Sequence, residues 1–219
     1  MAVEVDFKSM VPPGSKSNSN KTQYLDFPNG KGKVFRPIGG AMSFYKIFLR
    51  TPQGNRSIVV NPADKDKAAA VISAKFGQEV QPKLRYAINV IDREDNTIKV
   101  LEGGPSIFNH FAAWSQANGG TPPGGMNGFD WSVMSHGDGM NKKYTVTALR
   151  PAPLTQDELT RVKNTENLYS IKKLYEGVEP NAILDKLAGN KKGSSDEGPE
   201  PTMTTAGDVV SSSDDPANW

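Results

Sequence analysis

The sequence has 219 residues, of which 36% are apolar, and it contains 21 Gly, 16 Pro and no Cys. This composition predicts one domain with long loops or flexible ends, and it excludes disulfides and thiolate metal sites. The first residues lack the basic and apolar regions of a secretory signal, and no run approaches the roughly 18 apolar residues of a membrane helix. We therefore expect a soluble protein of the cytoplasm, with no membrane partner.

The net charge of +2 conceals a separation of charge along the chain. Residues 1–193 contain all 26 Lys and Arg residues and 18 acidic residues, a net charge of +8. Residues 194–219 contain six acidic residues and no Lys or Arg. A basic body with an acidic tail is typical of proteins that bind polyanions, although a chance imbalance of surface charge gives the same pattern.

Residues 1–33, rich in Lys, Ser, Asn and Gly, are predicted to form a flexible basic arm or an irregular first layer of the fold. Residues 34–150 are predicted to form the folded core, in which short strand-like runs alternate with two helical runs and glycine-rich turns. The predicted strands are 34–38, 43–50, 56–60, 84–92, 98–102, 129–135 and 143–150, and the predicted helices are 63–77 and 106–116. A glycine-rich loop over 118–128 separates the second helix from the last two strands.

The pattern becomes helical from residue 151. We predict a helical extension over 151–193, with a capping box at Thr155 and Glu158 and short helices over 167–177 and 180–189. Residues 194–219 are too polar to form a core and are predicted to be disordered. The order of elements indicates a mainly β protein with added helices, and an OB-fold-like small β-barrel is the favoured architecture.

The strand SFYKIFLR (43–50) alternates two kinds of side chain. Tyr45, Ile47 and Leu49 point to one face, and aromatic and basic side chains point to the other. Rings stack on the bases of single-stranded nucleic acid while cations neutralise its phosphates, although a core position for the two phenylalanines is an alternative. The leading candidate DNA contacts are Arg36, Phe44, Lys46, Phe48, Arg50 and Arg56.

Further cations and rings on neighbouring strands are second-choice DNA contacts: Arg85, Tyr86, Arg93, Trp131, Lys142, Lys143 and Tyr144. Tyr86 and Trp131 lie between apolar alternates, so packing in the core is the favoured interpretation for both.

Signals for catalysis are poor. The two histidines belong to no ligand motif, and the acidic runs DREDN and HGDGMN are also explained by the backbone preferences of turns. We therefore expect no catalytic residue, no metal site and no cofactor. The alternatives to a DNA-binding protein are an RNA-binding or annealing module, a structural or assembly protein with no nucleic-acid role and a metal-dependent nuclease.

Two stretches, RYAINVIDREDNTIKVLEGGPSIFNHF and DWSVMSHGDGMNKKYTVTAL, together resemble the single-stranded DNA-binding proteins of tailed bacteriophages. VFRPI looks like the first barrel strand of that family, and LYSIKKLYEGVEPNAILDKL looks like the helical segment after the barrel. The resemblance implies an OB-fold core and a role in DNA replication, recombination or repair. The zinc module of the best-known member needs cysteine, so zinc dependence does not carry over.

The same resemblance implies roles for both ends of the sequence. An N-terminal arm used for cooperative self-association is a feature of the family, and residues 1–33 are basic enough for one. Acidic tails that finish on an aromatic residue recruit replication or recombination proteins, which assigns partner binding to Asp214, Asp215 and Trp219. Such a tail also competes with DNA for the basic groove at low salt.

Overall fold

The computed structural model describes residues 22–51, 54–125, 128–137 and 142–187, and within these ranges the protein is mainly β with added helices, as the sequence predicts. The strands form one six-stranded antiparallel sheet: β1 (Gly32–Thr51), β2 (Gly54–Val60), β3 (Lys83–Asp92), β4 (Ile98–Gly103), β5 (Phe129–His136) and β6 (Lys143–Pro151). The α-helices in the described ranges are α1 (Lys65–Phe76), α2 (Pro105–Ala117), α3 (Gln156–Lys163), α4 (Ile171–Leu174) and α5 (Ile183–Leu187).

Strand β1 is the centre of the sheet. The strand order is β4-β3-β1-β5-β6, and β2 pairs with the second half of β1. The sequence predicts two separate strands here, 34–38 and 43–50, whereas the structure joins them into one strand. An irregularity between Ile38 and Met42, with Gly39 at a φ of 74°, accommodates residues that have no partner on β3.

Residues 22–31 form backbone hydrogen bonds with both β4 and β5. The backbone N–H of Leu25 donates to the carbonyl of Val100 in β4 (2.9 Å), and the N–H of Gly30 donates to the carbonyl of Ser135 in β5 (2.9 Å). Strands β4 and β5 are not neighbours in the strand order, so this one segment ties together strands from different parts of the sheet. Closure of the sheet into an OB-fold-like barrel stays a prediction.

For residues 22–33 this placement corrects the predicted flexible arm and agrees with the alternative, an irregular first layer of the fold. Leu25 and Phe27 are buried in the core, and Gly32 and Lys33 already belong to β1. The polar composition of residues 1–33 conceals these two anchoring side chains. Residues 1–21 of the predicted arm lie outside the described residues.

The inner face of the sheet holds the main apolar core. Alternate residues of β1, β3, β4 and β5 meet three side chains of helix α2 and the two anchors of the N-terminal segment. The buried members are Leu25, Phe27, Phe35, Ile88, Val90, Leu101, Ile107, Phe108, Phe111, Trp131 and Val133.

The C-terminal helical segment covers the middle of the outer face. Leu154 and Leu168 pack on Ile38 and Ile91, and Tyr175 packs on the outer side of β1. The predicted capping box is confirmed, because Thr155 Oγ1 accepts from the Glu158 N–H at 3.3 Å and the Glu158 side chain accepts in return. The predicted helix over 167–177 is shorter than expected, with a single α-helical turn at Ile171–Leu174.

Helix α1 packs against the second half of β1. It follows a 3-10 turn at Pro62–Asp64, so the α-helix begins two residues later than the predicted helix 63–77, and it ends before Gly77, which has a φ of 64°. Its buried face meets Ile47 and Leu49, so the two faces expected of strand 43–50 are confirmed. None of the helices in the described ranges is both long and apolar enough to cross a membrane.

Asp92 is a fully buried carboxylate at the end of β3. It accepts from Lys99 Nζ (2.7 Å), Lys33 Nζ (2.9 Å) and the backbone N–H of Glu94 (3.0 Å). Burial opposes ionisation, but these bonds outweigh it and hold the pKa of Asp92 below its ordinary value. The resulting stability is present above the ordinary carboxyl pKa of about 4 and is lost as the pH falls through the lower folded-state pKa.

We therefore expect Asp92→Asn to lower the free energy of unfolding at pH 7 by about 1.5–3 kcal/mol, the contribution of a hydrogen bond to a charged group. The loss of stability of this variant on acidification below about pH 4 should be smaller than that of the wild type. Urea unfolding at pH 7 and at pH 3 measures both effects. Equal stability of the two proteins at pH 7 would show that this carboxylate contributes nothing.

Candidate nucleic-acid interface

Five side chains of β1 and β3 form a group on the outer face, beyond the part covered by the C-terminal segment. The register places Phe44 opposite Arg85 and Lys46 opposite Lys83, so these side chains share one face with Phe48 and Arg50. We call this group the cation–phenylalanine patch, and its members are Lys46, Phe48, Arg50, Lys83 and Arg85.

The half-buried ring of Phe48 lies between two cations. Lys46 Nζ is 5.7 Å from the ring centroid and the Arg85 guanidinium carbon is 5.9 Å from it. Arg50 and Lys83 are exposed, and no carboxylate among the described residues forms an ion pair with either. The patch therefore offers an aromatic surface and two available positive charges side by side.

Glu102 of β4 is the acidic neighbour of the patch. Its two carboxylate oxygens accept from Lys46 Nζ at 2.9 and 3.0 Å, and Arg85 Nη2 lies 3.5 Å from one of them. The hydroxyl of Tyr175 donates to the same carboxylate at 3.0 Å. Burial, followed by the charge of Glu102, raises the pKa of Tyr175, so the phenol remains a proton donor.

Arg85 has one unused donor. Its Nε is buried and has no hydrogen-bond acceptor among the described residues. A buried donor without an acceptor costs about 1–3 kcal/mol, so an acceptor that reached this atom after a movement of the guanidinium group would relieve that cost.

Three candidate DNA contacts have buried side chains. For Arg36 and Phe44 this corrects the predicted contact, and for Trp131 it confirms the favoured interpretation of core packing. Phe44 is 3% exposed and stacks on Tyr175 with ring centroids 4.1 Å apart. Trp131 is 2% exposed, and its Nε1 donates to the carbonyl of Pro123 at 2.7 Å. Arg36 is fully buried, so none of the three presents a surface to a nucleic acid.

Arg36 instead belongs to an ion network beneath the C-terminal segment. Its Nε donates to Asp130 Oδ1 at 2.7 Å, and its Nη2 donates to the carbonyl of Ala152 at 2.7 Å. Arg93 also pairs with Asp130 (3.0 Å) and with Glu158. The network joins β1, β5 and α3, so both arginines are occupied by structural partners.

The remaining candidates lie away from the patch. Arg56 is opposite Leu49, so it points to the other face, and Tyr86 is half-buried and stacks on Phe108 with centroids 5.1 Å apart. The three candidates at the start of β6 are separated from β1 by β5. Among them, Lys142 Nζ donates to the carbonyl of Phe27 (3.0 Å), Tyr144 packs edge-on against Phe27, and Lys143 is exposed.

Three residues at the patch or beside it were not predicted from the sequence: Lys83, Glu102 and Tyr175. Lys83 could have been found from the alternation of Lys and Arg in KLR at the start of β3. Glu102 and Tyr175 carry no local signal, because one comes from β4 and the other from the C-terminal segment. Tyr175 also lines a cleft of about 450 Å³ on the same face, with the exposed Lys172 and Lys173 among its other lining residues.

The acidic run DREDN is engaged by lysines. Glu94 pairs with Lys31 and Lys33, and Asp95 accepts from Lys99 Nζ at 2.6 Å. No cluster of three or more His, Cys, Asp or Glu side chains that could hold a metal occurs in the described ranges. Part of the second run, HGDGMN, and the partner-binding candidates Asp214, Asp215 and Trp219 lie outside those ranges.

No protein-family model matches this chain, and no curated protein matches it either.

Proposed function

We propose that the protein binds single-stranded DNA without sequence preference, through the cation–phenylalanine patch, during phage DNA replication or recombination. The observation that carries this proposal is the half-buried ring of Phe48 between Lys46 and Arg85, beside the exposed Arg50 and Lys83.

The chemistry of the patch suits a single strand better than a duplex. An unpaired base exposes a face that stacks on an aromatic ring, worth about 1–3 kcal/mol per base, while neighbouring cations neutralise phosphates. In a duplex the base faces are stacked on each other, and Phe48 would have no base to contact. The net charge of +8 on residues 1–193 and the resemblance to phage single-stranded DNA-binding proteins support the same proposal.

A titration with oligonucleotides tests the proposal. We expect tighter binding to a single strand than to the matched duplex, and a log–log salt slope of about −3 to −4 if four to six phosphates are neutralised. Equal affinity for the two DNA forms, or no dependence on salt, would rule the proposal out. If a matched RNA oligonucleotide competes equally with the DNA, the proposed ligand would be single-stranded nucleic acid in general and not DNA alone.

The variant Phe48→Ala locates the contact. We expect it to weaken single-strand binding by about 1–3 kcal/mol, the value of one base stacked on a ring. Leu149→Ala is the matched control, since it also shortens a partly exposed apolar side chain, but on β6. Binding by Phe48→Ala that equals the wild type would show that this ring does not contact the strand.

The acidic segment 194–219 extends the proposal to partner proteins. Its six carboxylates and Trp219 suit a basic partner surface with a pocket for one ring. Deleting 194–219 is expected to tighten single-strand binding at low salt and to abolish capture of replication or recombination proteins. Unchanged DNA binding together with retained partners would refute this role.

A further inference from the structure

The carboxylate of Glu102 lies where the cations of the patch converge. It accepts two hydrogen bonds from Lys46 and one from Tyr175. It also forms a longer ion pair with Arg85. The side chains of Glu102 and Lys46 are only 13% and 16% exposed, so solvent screens their pairing weakly. Two of the four cations of the patch are thus engaged by one carboxylate in the free protein.

A carboxylate and a phosphodiester make the same demands on these donors. Each presents two anionic oxygens that accept charge-assisted hydrogen bonds from an ammonium and a guanidinium group. Arg85 also has a buried Nε without an acceptor, which the carboxylate does not satisfy. The donor set is therefore incompletely used by Glu102.

We propose that Glu102 occupies the position of a DNA phosphate in the free protein, and that a bound strand displaces its carboxylate from Lys46 and Arg85. This inference rests on the proposed function of the patch. After displacement, the carboxylate of Glu102 keeps its hydrogen bond from the hydroxyl of Tyr175. This bond lowers the free-energy cost of separating the carboxylate from Lys46 and Arg85. Glu102 thereby weakens the binding of any anion that cannot also stack on Phe48, and it favours strands with bases over other polyanions.

The variant Glu102→Gln keeps the shape of the side chain and removes its charge. We expect it to bind a single-stranded oligonucleotide about 5- to 10-fold more tightly at low salt, with a log–log salt slope steeper by about 0.7, because loss of the carboxylate raises the net positive charge of the patch by one. Glu166→Gln is the matched control, since it removes one charge from an exposed acidic residue outside the patch. We expect less than a twofold change for the control.

A second measurement uses the unmodified protein and does not depend on how a variant folds. The side-chain carboxyl carbon of Glu102, observed by NMR, is expected to shift when a single-stranded oligonucleotide is added. A resonance that does not move at saturating DNA would overturn the inference.

The outcomes separate this inference from the proposed function. Absence of single-strand binding by the wild type would remove both. If the wild type binds single strands, and Glu102→Gln and Glu166→Gln bind with the same affinity and salt slope as each other, only the proposed role of Glu102 would be ruled out. Weaker binding by a natively folded Glu102→Gln would also overturn the inference, since it would mean that the carboxylate assists the strand.

Discussion

Asp130→Ala is expected to lower the free energy of unfolding by about 3–5 kcal/mol, the cost of removing one partner from a buried ion pair. Asp130 accepts from the fully buried Arg36 at 2.7 Å and from Arg93 at 3.0 Å. Without it, two guanidinium groups remain close together, with Glu158 as the remaining carboxylate of the network. Urea denaturation followed by circular dichroism measures the change.

The control for this prediction is an exposed ion pair. Asp66 pairs with Lys65 at 3.1 Å and its side chain is 82% exposed, so Asp66→Ala is expected to cost less than about 1 kcal/mol. If the two variants lost the same stability, the network around Asp130 would have no special structural role.

Reversing the charges of Arg50 and Lys83 together is expected to weaken single-strand binding by about 30- to 100-fold at low salt and to reduce the log–log salt slope by at least about 1.4. Both side chains are exposed, so their replacement by glutamate leaves the core unchanged and removes the two available charges of the patch. Fluorescence titration at two or more ionic strengths gives the affinity and the slope.

A matched pair of reversals shows whether position or total charge matters. Lys163→Glu with Lys186→Glu changes the net charge equally, at exposed positions on α3 and α5. We expect this control to weaken binding less than fivefold. An equal loss in both double variants would mean that the protein attracts DNA through its overall charge and has no defined patch.

The alternation of strand 43–50 predicted the composition of the two faces correctly. Ile47 and Leu49 pack against α1, and Lys46 and Arg50 share the opposite face with Phe48. Alternation is a local property of an extended backbone, so it can be recognised without knowledge of the rest of the fold.

The burial of Phe44 and Arg36 could not be predicted in this way. Phe44 is covered by Tyr175, and Arg36 is neutralised by Asp130, and both partners are distant in the sequence. Local pattern identifies the side of a strand on which a residue lies, but only the tertiary fold determines whether another segment covers it. The same limit applies to Glu102, which lies on β4 and is separated from Lys46 by strand β3.

The boundary of the N-terminal arm was missed for a different reason. Leu25 and Phe27 stand in a polar stretch, so average composition predicts a solvated segment. Two buried apolar side chains are sufficient to hold this segment on the sheet, because its backbone also forms hydrogen bonds to strands β4 and β5. Backbone pairing of this kind depends on register and leaves little trace in composition.

The most direct test of the patch is to map backbone amide chemical shifts of the full chain while a short single-stranded oligonucleotide is added. Binding at the patch predicts the largest shifts at Lys46, Phe48 and Lys83, with the amides of Lys163 and Lys186 unmoved. Shifts confined to α3 and α5, or no shifts at saturating DNA, would contradict the assignment of DNA binding to this face of the sheet.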